Sequence, residues 1–452
     1  MKLRAALALV AILAARPSFG VNCYYAVLHS HTSYSDGIGT PEDAFTYARD
    51  VANIDILGLT EHTHLLTATE WSQLLATADS FCQDGVFVAL GAQEFGNLND
   101  FGHLGIYDSP FRNPNGTENL VGSYQFMRSY GAIGGFNHPN PEYGTNFNDL
   151  TFYPEYVNEL ISIEIRNGVR ADDYEPQYIQ ALRNGWHIGP FANQDNHEGH
   201  WGDQGNPNSG GQIYLTGILA DSLTKTDILD ALRARRFFAC EVDPPSDRME
   251  LEFYANGQIM GSSIVSSAHL ALTGTARAVN GVSLFNRVDL FEDGVIVRTS
   301  QQIGTSISWT FDEALVDGES HFYFVRVTQV DGDHSWSAPI WVTADVDPAG
   351  VEEAPSAGGF AVGILGPNPS GELIRFSIHI PERETVGEVS IDIIDIRGRV
   401  VGRMGPQRFG PGFHTWTWAG SEGDGALPAG VYFARLAADG KPVACRRLVR
   451  MP

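Results

Sequence analysis

Two histidines close an apolar run near the start of the chain, Tyr24-Tyr25-Ala26-Val27-Leu28-His29-Ser30-His31, and Asp36-Gly37 follows within the next turn. Alternate residues of a strand point the same way, so His29 and His31 present two imidazoles to one cation while Ser30 faces away. Comparable donors recur downstream. His62 follows Ile56-Leu57-Gly58-Leu59-Thr60-Glu61, and Glu94 follows Val86-Phe87-Val88-Ala89-Leu90. His103 stands in Gly102-His103-Leu104-Gly105, His138 in Phe136-Asn137-His138-Pro139, and Asp195-Asn196-His197 repeats the spacing of the first pair. Imidazole with carboxylate suits Zn, Mn or Fe better than Mg or Ca, and the two oxygens of Glu94 can bridge two ions. His64 and His200 flank these donors and are candidates to contact substrate or protonate a leaving group. Arg166-Asn167 ends a strand and offers an anion contact, and His187 has no assigned role.

The elements that must position these residues read as α/β from Val21 to about Asp243. Strands are expected at 24–28, 54–59, 86–90, 103–107, 132–136, 162–165 and 188–192, with helices at 41–51, 69–81, 122–130 and 225–236 between them. Thr40-Pro41-Glu42-Asp43 is a helix start, with Thr as N-cap and Pro in the first turn. His29, His31, His62, Glu94, His138, Asp195 and His197 all fall at or just beyond the C-terminal ends of expected strands, which converge in a barrel.

Beyond Asp243 the pattern turns to alternating strands with turn pairs such as Asn256-Gly257, Asp293-Gly294 and Asp331-Gly332. This predicts a β-sandwich over 244–343. An acidic, Pro- and Gly-containing linker occupies 344–359, and a second β-sandwich spans 360–452.

The chain of 452 residues carries 29 Lys+Arg against 54 Asp+Glu, a net charge of −25. Nucleic acid lacks its basic footprint on such a chain, and a phosphorylated substrate needs local cations, metal ions included. Residues 1–20, with Lys2 and Arg4 before an apolar stretch, read as a secretory signal peptide, and no later segment is expected to span a membrane. The four cysteines, Cys23, Cys82, Cys240 and Cys445, show no CxxC spacing, and an oxidising compartment allows them one or two disulfides.

The ordered set His29-x-His31 with Ser35-Asp36-Gly37, Thr60-Glu61-His62, Glu94, His138-Pro139 and Asp195-x-His197 resembles the PHP (polymerase and histidinol phosphatase) superfamily of metal-dependent phosphoesterases, over about residues 24–243. The resemblance implies a distorted (β/α)7 barrel holding two or three divalent ions. It assigns His29, His31, Glu94 and Asp195 to one ion, Glu94, His103 and His138 to a second, and Asp36, His62 and His197 to a third. Glu61 stands where the family usually has Asp, and Asp36 occupies a position that can be His.

A secreted hydrolase of phosphate esters follows as an expectation. Metal ions would supply a bridging hydroxide and neutralise phosphoryl oxygens. Glu94 and Asp195 would be central, with His64 or His200 protonating the leaving group. The same chemistry would serve carbamates, amides or carboxylic esters, and a non-catalytic metal-binding surface protein is a third reading. No GxSxG elbow, P-loop or GxGxxG competes.

In the tail, Gly366-Pro367-Asn368-Pro369, Ile391 to Val401 and Leu427-Pro428-Ala429-Gly430-Val431 resemble the C-terminal sorting domains of type IX secretion cargo and the Ig-like domain of flagellar hook-capping proteins. That resemblance implies secretion machinery as a partner and an extracellular or cell-surface location, or the periplasm if the tail is not a sorting signal.

Overall fold

The computed structural model describes residues 21–116, 119–168, 172–203, 213–242, 247–266, 269–316, 318–345, 360–365, 374–381, 388–395, 397–418, 428 and 430–450. The signal-peptide segment, the boundary at 243–244, nearly all of the linker and the Gly366-Pro367-Asn368-Pro369 motif lie outside the described residues. The chain divides into two compact units, Met1–Asp347 and Pro348–Pro452. Strand dominates the described residues of both.

The first unit begins with β1 (Asn22–Val27), α1 (Pro41–Asp50), β2 (Ile56–His62), α2 (Ala68–Phe81), β3 (Val88–Asn97), β4 (Gly102–Tyr107), α3 (Leu120–Tyr130), β5 (Ile133–Asn137) and α4 (Asn146–Leu150). It continues through β6 (Leu160–Asn167), β7 (Asp172–Asp173), α5 (Glu175–Asn184), β8 (Gly189–Asn193), β9 (Ile213–Ala220), α6 (Lys225–Arg233) and β10 (Phe237–Val242). These strands pair in the order β10-β9-β1-β2-β3-β4-β5-β6, with β8 on the far side of β6. The sheet curls until β8 returns to β9, where the Ala192 N–H donates to Thr216 Oγ1 and that hydroxyl donates to the Ala192 carbonyl, both at 3.1 Å.

The curl encloses one core. Ala26, Ile56, Val88, Leu90, Tyr107, Ile133, Phe191, Ile218 and Phe237, from successive strands, bury their side chains together, and Ile228 and Leu232 of α6 join them. Because side chains alternate along a strand, the same faces carry polar groups farther along: Val88 and Leu90 precede Glu94, Ile56 precedes His62, and Ile133 precedes Asn137. The other sheet face receives α1 and α2, whose Phe45, Ala48, Trp71 and Leu74 pack against Leu57, Leu59 and Ala89. Thr40 and Thr67 cap these helices through reciprocal capping boxes with Asp43 and Glu70, each worth about 1 kcal/mol.

The architecture departs from regular β/α alternation. β4 is antiparallel to both β3 and β5, and β9 is antiparallel to β1 and β10. β3 and β4 form a hairpin that lengthens β3 to Asn97, seven residues past the expected end. Gly96 makes the tight crossing feasible: its φ is +133°, and a Cβ there would stand 2.1 Å from the Gly102 carbonyl oxygen. α4 is a left-handed turn, with φ between 45° and 58° from Asn146 to Leu150.

β10 also pairs with His334–Ser337, Ala239 opposite Trp336, so the later strands of this unit continue the same sheet. Facing them is a four-stranded sheet of Gln258–Ile259, Met249–Ala255, His269–Ala278 and Ser306–Ala314. Leu251, Phe253, Leu272 and Phe311 pack with Val288, Leu290, Val325 and Val342 between the layers. The second unit has a three-stranded and a four-stranded sheet over a core that includes Phe376, Ile391, Ile393 and Leu436. All four cysteines are free thiols, so neither of the disulfides that the sequence allows is formed. No helix among the described residues is long and apolar enough to cross a membrane.

Candidate metal centre

The polar ends of the inward faces converge on Glu94, which is buried near the end of β3. Its Oε1 lies 3.1 Å from His29 Nε2, 3.3 Å from His103 Nδ1 and 3.2 Å from His138 Nε2. Its Oε2 lies 3.1 Å from His62 Nδ1 and 3.5 Å from His31 Nε2. Asp195 Oδ1 stands 3.2 Å from both His29 Nε2 and His31 Nε2. At the outer side, Asp36 reaches His62 Nε2 at 3.4 Å and His197 Nε2 at 3.2 Å.

All nine candidate ligands therefore meet in one place. His103 does so from the start of its strand rather than the end, because β4 runs backwards. The atoms fall into four groupings whose donors lie within 4.8 Å of one another: His31 with Asp36, His62 and His197; His29 with His31 and Glu94; His29 with His138 and Asp195; His62 with Glu94 and His103. This differs from the partition the family resemblance implies, since His31 joins the outer group and His138 stands with His29 and Asp195.

Several of these atoms are buried without a hydrogen bond: His29 Nε2, His31 Nε2, His103 Nδ1, His138 Nδ1 and Asp195 Oδ1. A buried polar atom without a partner costs about 1–3 kcal/mol, and five in one cluster fit divalent ions of the imidazole–carboxylate type. Two of the residues also hold left-handed backbone, His138 at φ 29° and Asp195 at φ 49°, conformations that persist where the surroundings impose them.

Charge is shared within the cluster. Burial acts to raise the Glu94 carboxyl, but the imidazoles of His103 and His29 outweigh it and hold it well below the usual carboxylate range. Burial likewise opposes Asp36 ionisation, and hydrogen bonds from His197 and His62 overcome it. His31, fully enclosed, is pushed down to about 4 by burial, which keeps its ring neutral and available as a ligand.

An outer layer fixes the ligands. Glu164, buried on β6, accepts from His29 Nδ1 at 2.8 Å and Asn193 Nδ2 at 3.0 Å on one oxygen. Its other oxygen accepts the His138 N–H at 2.6 Å and Asn167 Nδ2 at 3.0 Å. Asn137 Nδ2 donates to Glu94 Oε1 at 2.8 Å, and Asn167 Nδ2 reaches Asp195 Oδ2 at 3.3 Å. Glu61 accepts from the Thr32 hydroxyl at 2.5 Å and from Ser35, whose hydroxyl lies 3.3 Å from His31 Nδ1. Burial pushes the Glu61 carboxyl up to about 7, against those hydrogen bonds. Glu61 thus braces the loop carrying His31. Sequence reasoning missed Glu164; the available signal was a lone carboxylate within Leu160-Ile161-Ser162-Ile163-Glu164-Ile165, a strand otherwise almost wholly apolar.

The remaining candidates separate. His64 is exposed at the mouth, its ring 5.4 Å from that of His62. His200 hydrogen-bonds the Tyr47 hydroxyl at 3.0 Å and does not line the cleft over the cluster. Arg166, expected on an anion, is taken instead by Glu241 at 2.5 Å and by Asp173, with its guanidinium 4.6 Å over the Trp336 ring. His187 stacks on Trp341, ring centroids 4.3 Å apart.

No family model matches the chain. An uncharacterized protein of Chlamydia pneumoniae is 22% identical over 366 residues, covering 71% of this chain and 57% of its own length. An uncharacterized protein of Chlamydia trachomatis is 23% identical over 237 residues, covering 44% and 36%. The chain thus spans little more than half the length of the first of these curated relatives and about a third of the second. Among solved structures, a two-domain protein of Bacteroides vulgatus containing a predicted PHP-like metal-dependent phosphoesterase aligns over 71% of this chain and 96% of its own. Identity there is 15% and the TM-score 0.42. Fibronectin(III)-like modules of Clostridium thermocellum CbhA align over 44% of this chain and 93% of their own, at 10% identity and a TM-score of 0.19. At such scores the likenesses carry no weight beside the cluster's own geometry.

Proposed function

We propose that the chain is a metal-dependent hydrolase of phosphate esters, its curled sheet a distorted barrel of the PHP type. The observation that carries this reading is the set of buried imidazole and carboxylate atoms, without hydrogen bonds, facing one another around Glu94. His29, His31, Glu94 and Asp195 would hold one ion, Glu94 with His103 and His138 a second, and Asp36 with His62 and His197 a third. Such ions lower the pKa of a bound water and offset negative charge on phosphoryl oxygens.

The chain's own residues supply position and proton transfer. Glu164 holds the His29 ring with Nε2 toward Glu94 and Asp195. Asn137 and Asn167 set the carboxylates of Glu94 and Asp195. His64 is the group at the mouth suited to give a proton to a departing oxygen, a role for which His200 is poorly placed. The proposal extends to export, with residues 1–20 and 361–452 as its addresses; fractionating cells that produce the chain with and without residues 361–452 tests that part.

The catalytic part is tested by loading the full chain with Mn or Zn and assaying phosphomonoesters, phosphodiesters and aryl carbamates. Phosphate-ester hydrolysis that Glu94→Ala and Asp195→Asn each reduce at least 100-fold supports it. Carbamate cleavage without phosphate-ester cleavage moves the site to the carbonyl class, and less than one equivalent of bound metal overturns it.

A further inference from the structure

The cleft over the cluster has two lobes that share His62, Leu98 and His103. Past these residues the inner lobe continues over His138 and Asp195 to Tyr143 and Tyr174. The outer lobe continues over Asp36 to His64, Leu65, Asn97 and Asn99. The lobes have cavity volumes of about 160 and 380 Å³, each enough for a group about the size of an aromatic ring.

The outer lobe is a built surface. Its floor is the tip of the β3–β4 hairpin, where Asn97 Oδ1 accepts the Asn99 N–H at 2.9 Å and the Asn97 carbonyl accepts the Asp100 N–H at 3.0 Å. Leu65, 46% exposed, supplies apolar surface on the opposite wall. The inner lobe adds two tyrosines, Tyr143 and Tyr174, to the candidate ligands that line it, with Tyr143 edge-on to His138 at 5.9 Å.

We propose that the substrate class is a phosphodiester. This rests on the phosphoesterase reading above. The phosphorus sits at the residues the lobes share, one ester arm lies against Tyr143 and Tyr174, and the other lies among Leu65, Asn97 and Asn99. A monoester has one organic arm and would leave one lobe to water; a diester fills both. Leu, Tyr and Asn side chains solvate an organic arm but do not neutralise a second phosphate charge. In the step, a water oxygen joins phosphorus, one ester P–O bond breaks, and the departing oxygen takes a proton. The products are an alcohol and a phosphomonoester.

The test uses the full chain loaded with Mn, with bis(4-nitrophenyl) phosphate and 4-nitrophenyl phosphate as probes. The expected result is a kcat/KM at least tenfold higher for the diester. Leu65→Glu and Tyr143→Ala should each raise KM for the diester at least fivefold, the effect falling on KM rather than kcat. Leu65 is exposed, so its variant tests the outer lobe without disturbing the core. Equal or faster hydrolysis of the monoester overturns the proposal while leaving the phosphoesterase reading intact, as does a diester KM that moves in neither variant. Hydrolysis of neither ester by metal-loaded protein overturns both.

Discussion

Glu164 fixes the ring orientation of His29. A carboxylate accepts, so the 2.8 Å contact puts a proton on Nδ1 and turns Nε2 toward Glu94 and Asp195, the nitrogen that a metal ion would take. The same carboxylate accepts the N–H of His138 at 2.6 Å, holding a residue whose φ of 29° few side chains adopt. One buried group therefore sets two neighbouring candidate ligands, whose rings lie 5.7 Å apart.

Glu164→Gln should weaken this brace without removing its volume. An amide puts a donor where Glu164 faces only donors: His29 Nδ1, Asn193, Asn167 and the His138 N–H. Metal affinity should fall roughly 10–100-fold, the scale of losses on changing a partner of a metal-bound histidine. Competition with a chromophoric chelator measures it, and unchanged affinity with intact far-UV circular dichroism would remove Glu164 from the centre.

Chelation should destabilise the protein. Ions that bind the folded chain and not the unfolded one contribute about 2.7 kcal/mol per site at a hundredfold excess over Kd, so stripping the centre should lower Tm by roughly 5 °C or more. Differential scanning calorimetry with and without EDTA reads the shift. In Glu94→Ala, which removes the carboxylate shared by two of the four groupings, much of the EDTA response should vanish.

The left-handed turn of α4 makes an opposite prediction from an ordinary helix. Phe147 is buried against Gly102 in this turn, while Asn148 is exposed at φ 53° and its N–H donates to Thr145 Oγ1 at 3.2 Å. An L-residue in this region costs about 1–2 kcal/mol, least for Asn and Asp, and Gly escapes the cost. Asn148→Gly should therefore stay within about 1 kcal/mol of the parent in urea unfolding, while Asn148→Val should lose roughly 2 kcal/mol or more. A right-handed helix would reverse the order, since Gly is the poorer residue there.

The convergence of the candidate donors was legible because their spacing survives folding. His29-Ser30-His31 and Asp195-Asn196-His197 keep their x+2 pattern, and His62 and His138 sit where apolar runs end. Glu94 was found although β3 runs seven residues past its expected end, because the inward period of two carries on through Val88, Leu90, Ala92 and Glu94. What the sequence reading did not show was the reversal of β4, which turns straight back on β3 as a hairpin and sets Gly96 opposite His103. Nor did it show Glu164, whose role exists only when the curl of the sheet brings His29 and His138 to β6 and Asn193 beside it. Arg166 was misread for a similar reason: the Glu241 that claims it is 75 residues away.

His187 supplies a pH dependence separable from the metal centre. Burial first, and the nearby Arg235 second, push its pKa down to about 4 from an ordinary 6.5. The folded state thus disfavours the charged ring that the unfolded chain accepts, and between those values the unfolded state binds more protons. Stability from this group is complete above about pH 6.5 and is lost as pH falls toward 4, at up to about 1.4 kcal/mol per pH unit and roughly 3 kcal/mol in all. His187→Phe keeps a ring against Trp341, whose plane lies within 7° of the imidazole, and removes the titration. Urea unfolding of both proteins from pH 4 to 8 should show the parent losing stability relative to the variant only below about 6.5. Parallel curves across that range would mean that the ring is protonated in the fold as easily as out of it.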